Sequence, residues 1–154
     1  MLFHFSNVFF SPCDKSLSGG YDDQANQVII CSNNCQTASK VEEILAHELV
    51  HMYDFCTSKI DFSNPNHLAC SEIRAANLTS CTKFSIWDYW SIEDCVEKKA
   101  TKSVAWVSGM KESEALKIVR SVFDKCYNDL EPFGRRSTSA NSDSKTLYDC
   151  YKNQ

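Results

Sequence analysis

Residues 39–55, SKVEEILAHELVHMYDF, read as one amphipathic helix that carries the pattern H-E-x-x-H at His47, Glu48 and His51. Val41, Ile44, Leu45, Leu49 and Met52 recur at three- and four-residue spacing, which is the period of one helical face. Ser39 followed by Glu42 predicts a capping box at the start. Residues four apart lie one turn apart on the same face, so His47 and His51 can aim both imidazoles at one metal ion. Glu48 projects about 100° round the helix from His47, towards whatever the ion binds. Zinc lowers the pKa of bound water towards ~7. A carboxylate placed like Glu48 can take that proton and later protonate the leaving amine of a peptide. By chance the pattern arises in well under ~1% of chains this long. Its place inside a capped helix weighs further against the plainer alternative, two structural histidines and a solvated Glu.

A catalytic zinc needs a third protein ligand and one open position. Three residues are candidates. Glu72 falls in the next expected helix, 66–78, as in thermolysin-like zincins with two His and one Glu. His67 starts the same helix. Asp54 lies one turn beyond His51 and suits a role orienting that imidazole. The expected ligands are therefore His47, His51 and Glu72, with His67 and Asp54 as alternatives. The plain reading of Glu72 is an exposed helix carboxylate paired with Arg74. Thermolysin-like sites usually carry an Asp four residues after the ligand Glu, and here that position is Ala76.

Outside this region, QVIIC at 27–31 reads as a short strand, β-branched and bounded by turn residues. It is either an edge strand that pairs with extended substrate or an ordinary core strand. Gly19-Gly20 reads as a turn. Further helices are expected over 91–107 and 112–127, and Pro132 and Gly134 follow the second. The expected fold is α+β: a small zincin-like domain over 1–135, mostly helical, with a short sheet next to the metal-binding helix. A flexible Ser/Thr/Asn-rich tail is expected over 136–154. MLFHFSNVFF at 1–10 lacks the basic lead of a secretory signal. It is a buried strand, a membrane-surface contact or a poorly defined start. FSIWDYW at 84–90 is aromatic enough for a membrane or client contact, though such stretches are more often core.

Apolar content of 43% and charged content of 23% in 154 residues suit one globular domain. A net charge of −4 and the lack of a Lys/Arg cluster on any one helix argue against nucleic acid as a partner. Nine cysteines are scattered along the chain with no C-x-x-C pair. Scatter favours disulfides over a structural zinc knuckle, and so an oxidising compartment. The alternative is reduced, buried thiols in a cytosolic protein. Nine is odd, so one thiol at least stays outside any intrachain bridge.

Longer phrases carry a resemblance: GGYD (19–22), QVIIC (27–31), HELVH (47–51), HLACSEIRAAN (67–77) and NDLEPFGR (128–135). Together they resemble the mitochondrial inner-membrane metallopeptidases that mature subunit a of ATP synthase and assist assembly of its membrane sector. Vertebrate members are also called Ku-binding proteins. The resemblance spans about residues 12–135. It implies a Zn2+ peptidase on the intermembrane-space side of the inner membrane, peripherally attached, with oxidatively formed disulfides. It implies as clients the precursor of subunit a and other membrane-sector subunits. The catalytic pattern carries over to His47, Glu48 and His51. Family members usually extend further upstream with more cysteines, so a truncated or mispredicted start is the expectation that accounts for the odd count. Cys35 and Cys150 lie outside the resembling phrases. Two other functions compete with proteolysis: an assembly chaperone that binds the same client, and a disulfide-rich binding domain with a structural metal. The last leaves Glu48 unexplained.

Overall fold

In the computed structural model, residues 7–82 and 91–136 are described. The aromatic stretch 84–90, the tail beyond residue 136 and the first six residues lie outside them, as do the roles expected of those segments. The described chain is α+β, with three strands followed by four α-helices. These are β1 (Val8–Ser11), β2 (Gly19–Asp22), β3 (Gln27–Cys31), α1 (Ala38–Thr57), α2 (Pro65–Ala75), α3 (Ile92–Ser108) and α4 (Glu112–Tyr127).

The sheet runs β1-β3-β2, with β1 parallel and β2 antiparallel to β3. The strand expected at 27–31 is thus the central one, and its apolar residues are core. The edge beside α1 belongs instead to β2, where a turn was expected. Two glycines in a four-residue strand carry almost no strand signal. Gly19 is nevertheless required by packing. A Cβ there would sit 2.5 Å from Ile44 Cγ2 and 2.9 Å from the Ile29 carbonyl oxygen, so only glycine lets β2 lie this close to α1. Residues 8–10 of the apolar start form an edge strand rather than a buried one, and Phe9 and Phe10 are exposed.

Helix α1 starts two residues earlier than expected. Thr37 is the cap, in extended conformation, and its Oγ1 accepts from the Lys40 amide. The predicted Ser39–Glu42 box is not what starts it. A capping box of that kind opens α3, between Ser91 and Asp94. The apolar stripe of α1, with Ile44 and Met52 buried, packs on Val28 and Ile30 of the sheet. Its opposite side places Val50 against Ala75 and Leu78. A larger core joins α2, α3 and α4 around Ile73, Val96, Val104 and Val119. Helix α1 is therefore held between the sheet and the helical layer, with its H-E-x-x-H residues at the junction.

Helix α2 opens at Pro65 with Asn64 as its cap, then widens into a π turn over Ala76–Ser80. The extra residue per turn is a local change from α geometry that recurs near functional sites. No helix among the described residues is long and apolar enough to cross a membrane.

Three disulfides form among the described residues: Cys13–Cys31, Cys70–Cys126 and Cys81–Cys95. They tie β3 to the loop before β2, α2 to α4, and the end of the π turn to α3. No described bridge uses Cys35 or Cys56, and Cys150 lies outside the described residues. Cys56, at the end of α1, is in none of these bridges, whereas Cys70, two residues before Glu72, is bridged. The Cys70–Cys126 link closes a loop of 56 residues. Loop-closure entropy predicts that removing it costs about 4 kcal/mol. The double variant Cys70→Ser/Cys126→Ser should show that loss in denaturant unfolding. Peptide mapping of the unreduced protein should recover all three bridges.

Candidate metal centre

Positions 47, 48 and 51 bring three polar side chains of α1 to the junction with α2. His51 and Glu48 are each 7% exposed, and Glu72 from α2 is 6% exposed. Such burial of two carboxylates and an imidazole is costly unless they are partnered. Glu48 takes a hydrogen bond from the Tyr21 backbone, while His51 and Glu72 partner each other and His47. The Nε2 atoms of His47 and His51 lie 3.2 Å apart. Glu72 Oε2 is 3.5 Å from His47 Nε2, and Oε1 is 3.7 Å from His51 Nε2. His47, His51 and Glu72 are the described residues that bring three metal-ligating atoms together.

These separations fit a cation. Bonds of about 2.0–2.2 Å in tetrahedral geometry set ligand atoms roughly 3.3–3.6 Å apart. Two imidazole nitrogens and one carboxylate oxygen leave a fourth position for a reactant, the pattern of catalytic rather than structural sites. Of the alternatives, His67 is turned away: its Nδ1 accepts from the Asp61 amide 3.2 Å distant. Asp54 is close behind His51 but not among the converging ligand atoms.

Asp54 does orient His51, through one intermediary. Ser71 donates to Asp54 Oδ2 at 2.8 Å and lies 2.8 Å from His51 Nδ1. Since the serine proton is committed to Asp54, the imidazole must donate from Nδ1, which assigns the tautomer and leaves the Nε2 lone pair facing His47 and Glu72. Asp54 is in turn held by Arg74, with Nε 3.0 Å and Nη2 2.9 Å from Oδ1. Arg74 continues to the Asp129 carboxylate and the Glu131 carbonyl. The reading of Arg74 as the partner of Glu72 is corrected: Arg74 serves Asp54, and Glu72 is buried. Ala76 needs no carboxylate, because Asp54 reaches from α1 to do the orienting. Ser71→Ala should therefore lower metal affinity about 10–100-fold with the fold intact. Competition against a metallochromic chelator measures it.

Electrostatics follow from the same packing. Burial opposes ionising Glu72, but His51, His47 and Ser103 of α3 outweigh it and hold the carboxyl down at about 2. Burial pushes His51 down to about 4, with His47 adding to that and Glu72 resisting. Burial also works against protonating His47, yet Glu72 and Glu48 prevail and raise it. The two imidazoles are thus driven apart, with the charged form favoured at His47 and disfavoured at His51. Glu48 is raised to about 7, mainly by burial, with Glu72 adding and His47 and the Tyr21 amide opposing. Two neighbouring carboxylates are driven in opposite directions: Glu72 to remain an anion, Glu48 to exchange a proton near neutrality.

The group opens into a cleft between the β2 edge, α1 and α3. One lobe of about 420 Å³ and another of about 310 Å³ meet at His47, Glu48 and Glu72. Sequence reasoning found the three clustered residues and Glu48. It missed Ser71, Ser103 and the β2 edge. Ser71 stands beside Glu72 in the recognised phrase, but a small hydroxyl carries no signal of its own.

A model of the Peptidase M76 family matches residues 2–134. The chain belongs to this family. Among M76 relatives, it is 40% identical over 152 residues to the mitochondrial inner membrane protease ATP23 homolog of Xenopus laevis, covering 92% of this chain and 63% of that protein. It is 39% identical over 131 residues to the homolog of Danio rerio, covering 80% and 52%. With the mitochondrial inner membrane protease ATP23 of Debaryomyces hansenii it shares 36% over 139 residues, covering 84% and 58%. The chain thus spans between about half and two thirds of the length of these curated M76 relatives. No solved structure matches it.

Proposed function

We propose that this chain is a zinc-dependent endopeptidase of the mitochondrial inner membrane, acting on the intermembrane-space side. Its proposed client is the precursor of ATP synthase subunit a, whose maturation it couples to assembly of the membrane sector. One observation carries the peptidase reading. His47, His51 and Glu72 converge at ligand distances beside a buried Glu48, in an open cleft along a sheet edge. Membership of a peptidase family and the names of the relatives support the activity and the membrane. Three disulfides suit an oxidising space. The client rests on the resemblance of the recognised phrases alone.

His47, His51 and Glu72 would hold the ion. Zinc, when bound there, supplies a Lewis acid and lowers the pKa of water. The protein's own groups do the rest. Glu48, buried beside the three ligand residues, takes a proton from the attacking water and hands it to the departing amide nitrogen. Among the described residues β2 is paired on one side only, with β3. Its other edge offers main-chain groups to an extended substrate, which gives affinity with little demand on sequence. Ser71, Asp54 and Arg74 keep His51 turned towards the ion.

The test is joint. Purified protein should contain one zinc per chain and cleave a subunit a precursor at a single N-terminal site, with chelator abolishing cleavage and zinc restoring it. Cleavage that survives full metal removal would reject the mechanism. A metal-loaded protein that cleaves other peptides but never this precursor would reject the client.

A further inference from the structure

The two lobes of the cleft differ in chemistry away from the residues they share. In the larger one Lys40 of α1 faces Lys99 and Lys102 of α3, beside the loop at residues 16–18 that leads into β2. Glu43 lies between two of them, 3.3 Å from Lys40 and 3.6 Å from Lys99. Lys102 has no ion pair among the described residues. Glu48 and Glu72 also line this lobe where it meets the catalytic group; away from that group, three lysines stand against Glu43 alone, a local excess of positive charge in a chain whose net charge is −4. The lysines come from two helices about sixty residues apart, so no basic run marks them in the sequence. The smaller lobe, beyond the catalytic group along β2, is walled by Phe62 and Val107, and Trp106 stands between the lobes and lines both. Phe62 sets its ring edge-on to His51. Trp106 and Val107 are 58% and 51% exposed, so core packing does not account for their apolar surface. Large apolar side chains exposed together at a cleft commonly meet a partner.

Both lobes share Gly19 and follow the edge of β2, the basic one at its start and the apolar one at Tyr21 and Asp23. A peptide laid along this edge therefore crosses from one to the other at Glu48. Antiparallel pairing is the more stable per residue, and it sets the N-terminal half of the peptide in the apolar lobe. We propose, resting on the peptidase reading above, that the cleft selects an extended polypeptide segment by both flanks. Large apolar side chains precede the scissile bond and acidic side chains follow it.

The test uses the full chain, loaded with zinc, and peptides of one length that differ only in their flanks. After the cut site they carry Asp/Glu, Ala or Lys; before it they carry Leu/Phe or Ser. Mass spectrometry locates the cut and initial rates give kcat/KM. The acidic series should exceed the Lys series on the order of tenfold at low salt, as expected for a few exposed ion pairs. The ratio should shrink towards one near 1 M salt. Lys99→Glu/Lys102→Glu should invert the ratio. Replacing Leu/Phe by Ser before the bond should lower kcat/KM by a similar factor. Equal rates for acidic and Lys peptides at low salt, or an acidic preference on the N-terminal side, would overturn the proposal. Binding of the same peptides to Glu48→Gln protein, read by fluorescence anisotropy, decides it independently of turnover. If no peptide is cut but acidic peptides bind more tightly by the same ratio, the peptidase reading fails and the selectivity stands. If all bind equally, the selectivity fails.

Discussion

Glu48→Gln should lower kcat by about 10²–10⁴-fold, the range of a lost general base, while zinc content stays at one per chain. The amide keeps the shape and most of the packing of the carboxyl but cannot accept the proton. Glu48 is not one of the three converging ligand residues, so the metal has no reason to leave. Binding and assembly of the client should survive, which separates a chaperone role from proteolysis. Processing at a comparable rate by the purified variant would mean that another group is the base. The same change has a second signature in protein stripped of metal. Burial raises Glu48 from 4.5 to about 7 in the fold. The folded state therefore favours the protonated carboxyl, a stability present in full below about pH 4.5 and lost as the pH rises through about 7. At pH 8 the residue is ionised in both states, and its burial then costs on the order of 3 kcal/mol. Gln carries no such charge. The stripped variant should therefore be more stable than its parent by about that amount at pH 8, and the difference should fade by pH 4.5. Urea unfolding at the two pH values measures both ends. A difference that grows on acidification would show that Glu48 is ionised in the fold at low pH.

Glu72→Ala should reduce zinc affinity by more than about 100-fold, beyond the loss expected for residues that only orient a ligand. In the proposed site the carboxylate would supply the third donor, and it lies 3.5 and 3.7 Å from the two imidazole nitrogens. Two histidines from one turn of helix cannot complete a tetrahedral site. His67→Ala should leave zinc unchanged, since His67 is engaged with the Asp61 amide. Asp54→Asn should fall between, because it weakens the Ser71 contact that sets the His51 tautomer. Metal analysis after dialysis against a weak chelator ranks the three. Full zinc in Glu72→Ala with loss in His67→Ala would reverse the assignment. Without metal, Glu72 also links stability to acid. Its folded pKa of about 2 lies below its ordinary 4.5, so its contribution is present above about 4.5 and lost as the pH falls towards 2. Glu72→Ala should abolish that part of the acid transition.

What the sequence determines by itself is whatever depends on neighbours within a turn or two. His47, Glu48 and His51 are legible because four-residue spacing on a helix fixes their relation before any packing occurs. The span of α4, 112–127, was readable to the residue because its amphipathic period ends where Pro132 and Gly134 forbid continuation. Scattered cysteines implied disulfides, though pairing depends on where distant segments meet. Glu72 could be proposed as a ligand from its separation from His51, but only the α1–α2 contact brings its oxygens to the imidazoles. Tertiary structure alone decided the rest. Strand β2 exists because β3 offers a partner and Gly19 allows α1 to approach; in GGYD only Tyr21 favours a strand, too little to announce it. Asp54 orients His51 through Ser71, not directly, because the junction of α1 with α2 puts a serine between them. Lys40, Lys99 and Lys102 share a lobe only because α3 packs beside α1. Contacts between segments fifty residues apart depend on the geometry of the whole core, and no local period encodes that.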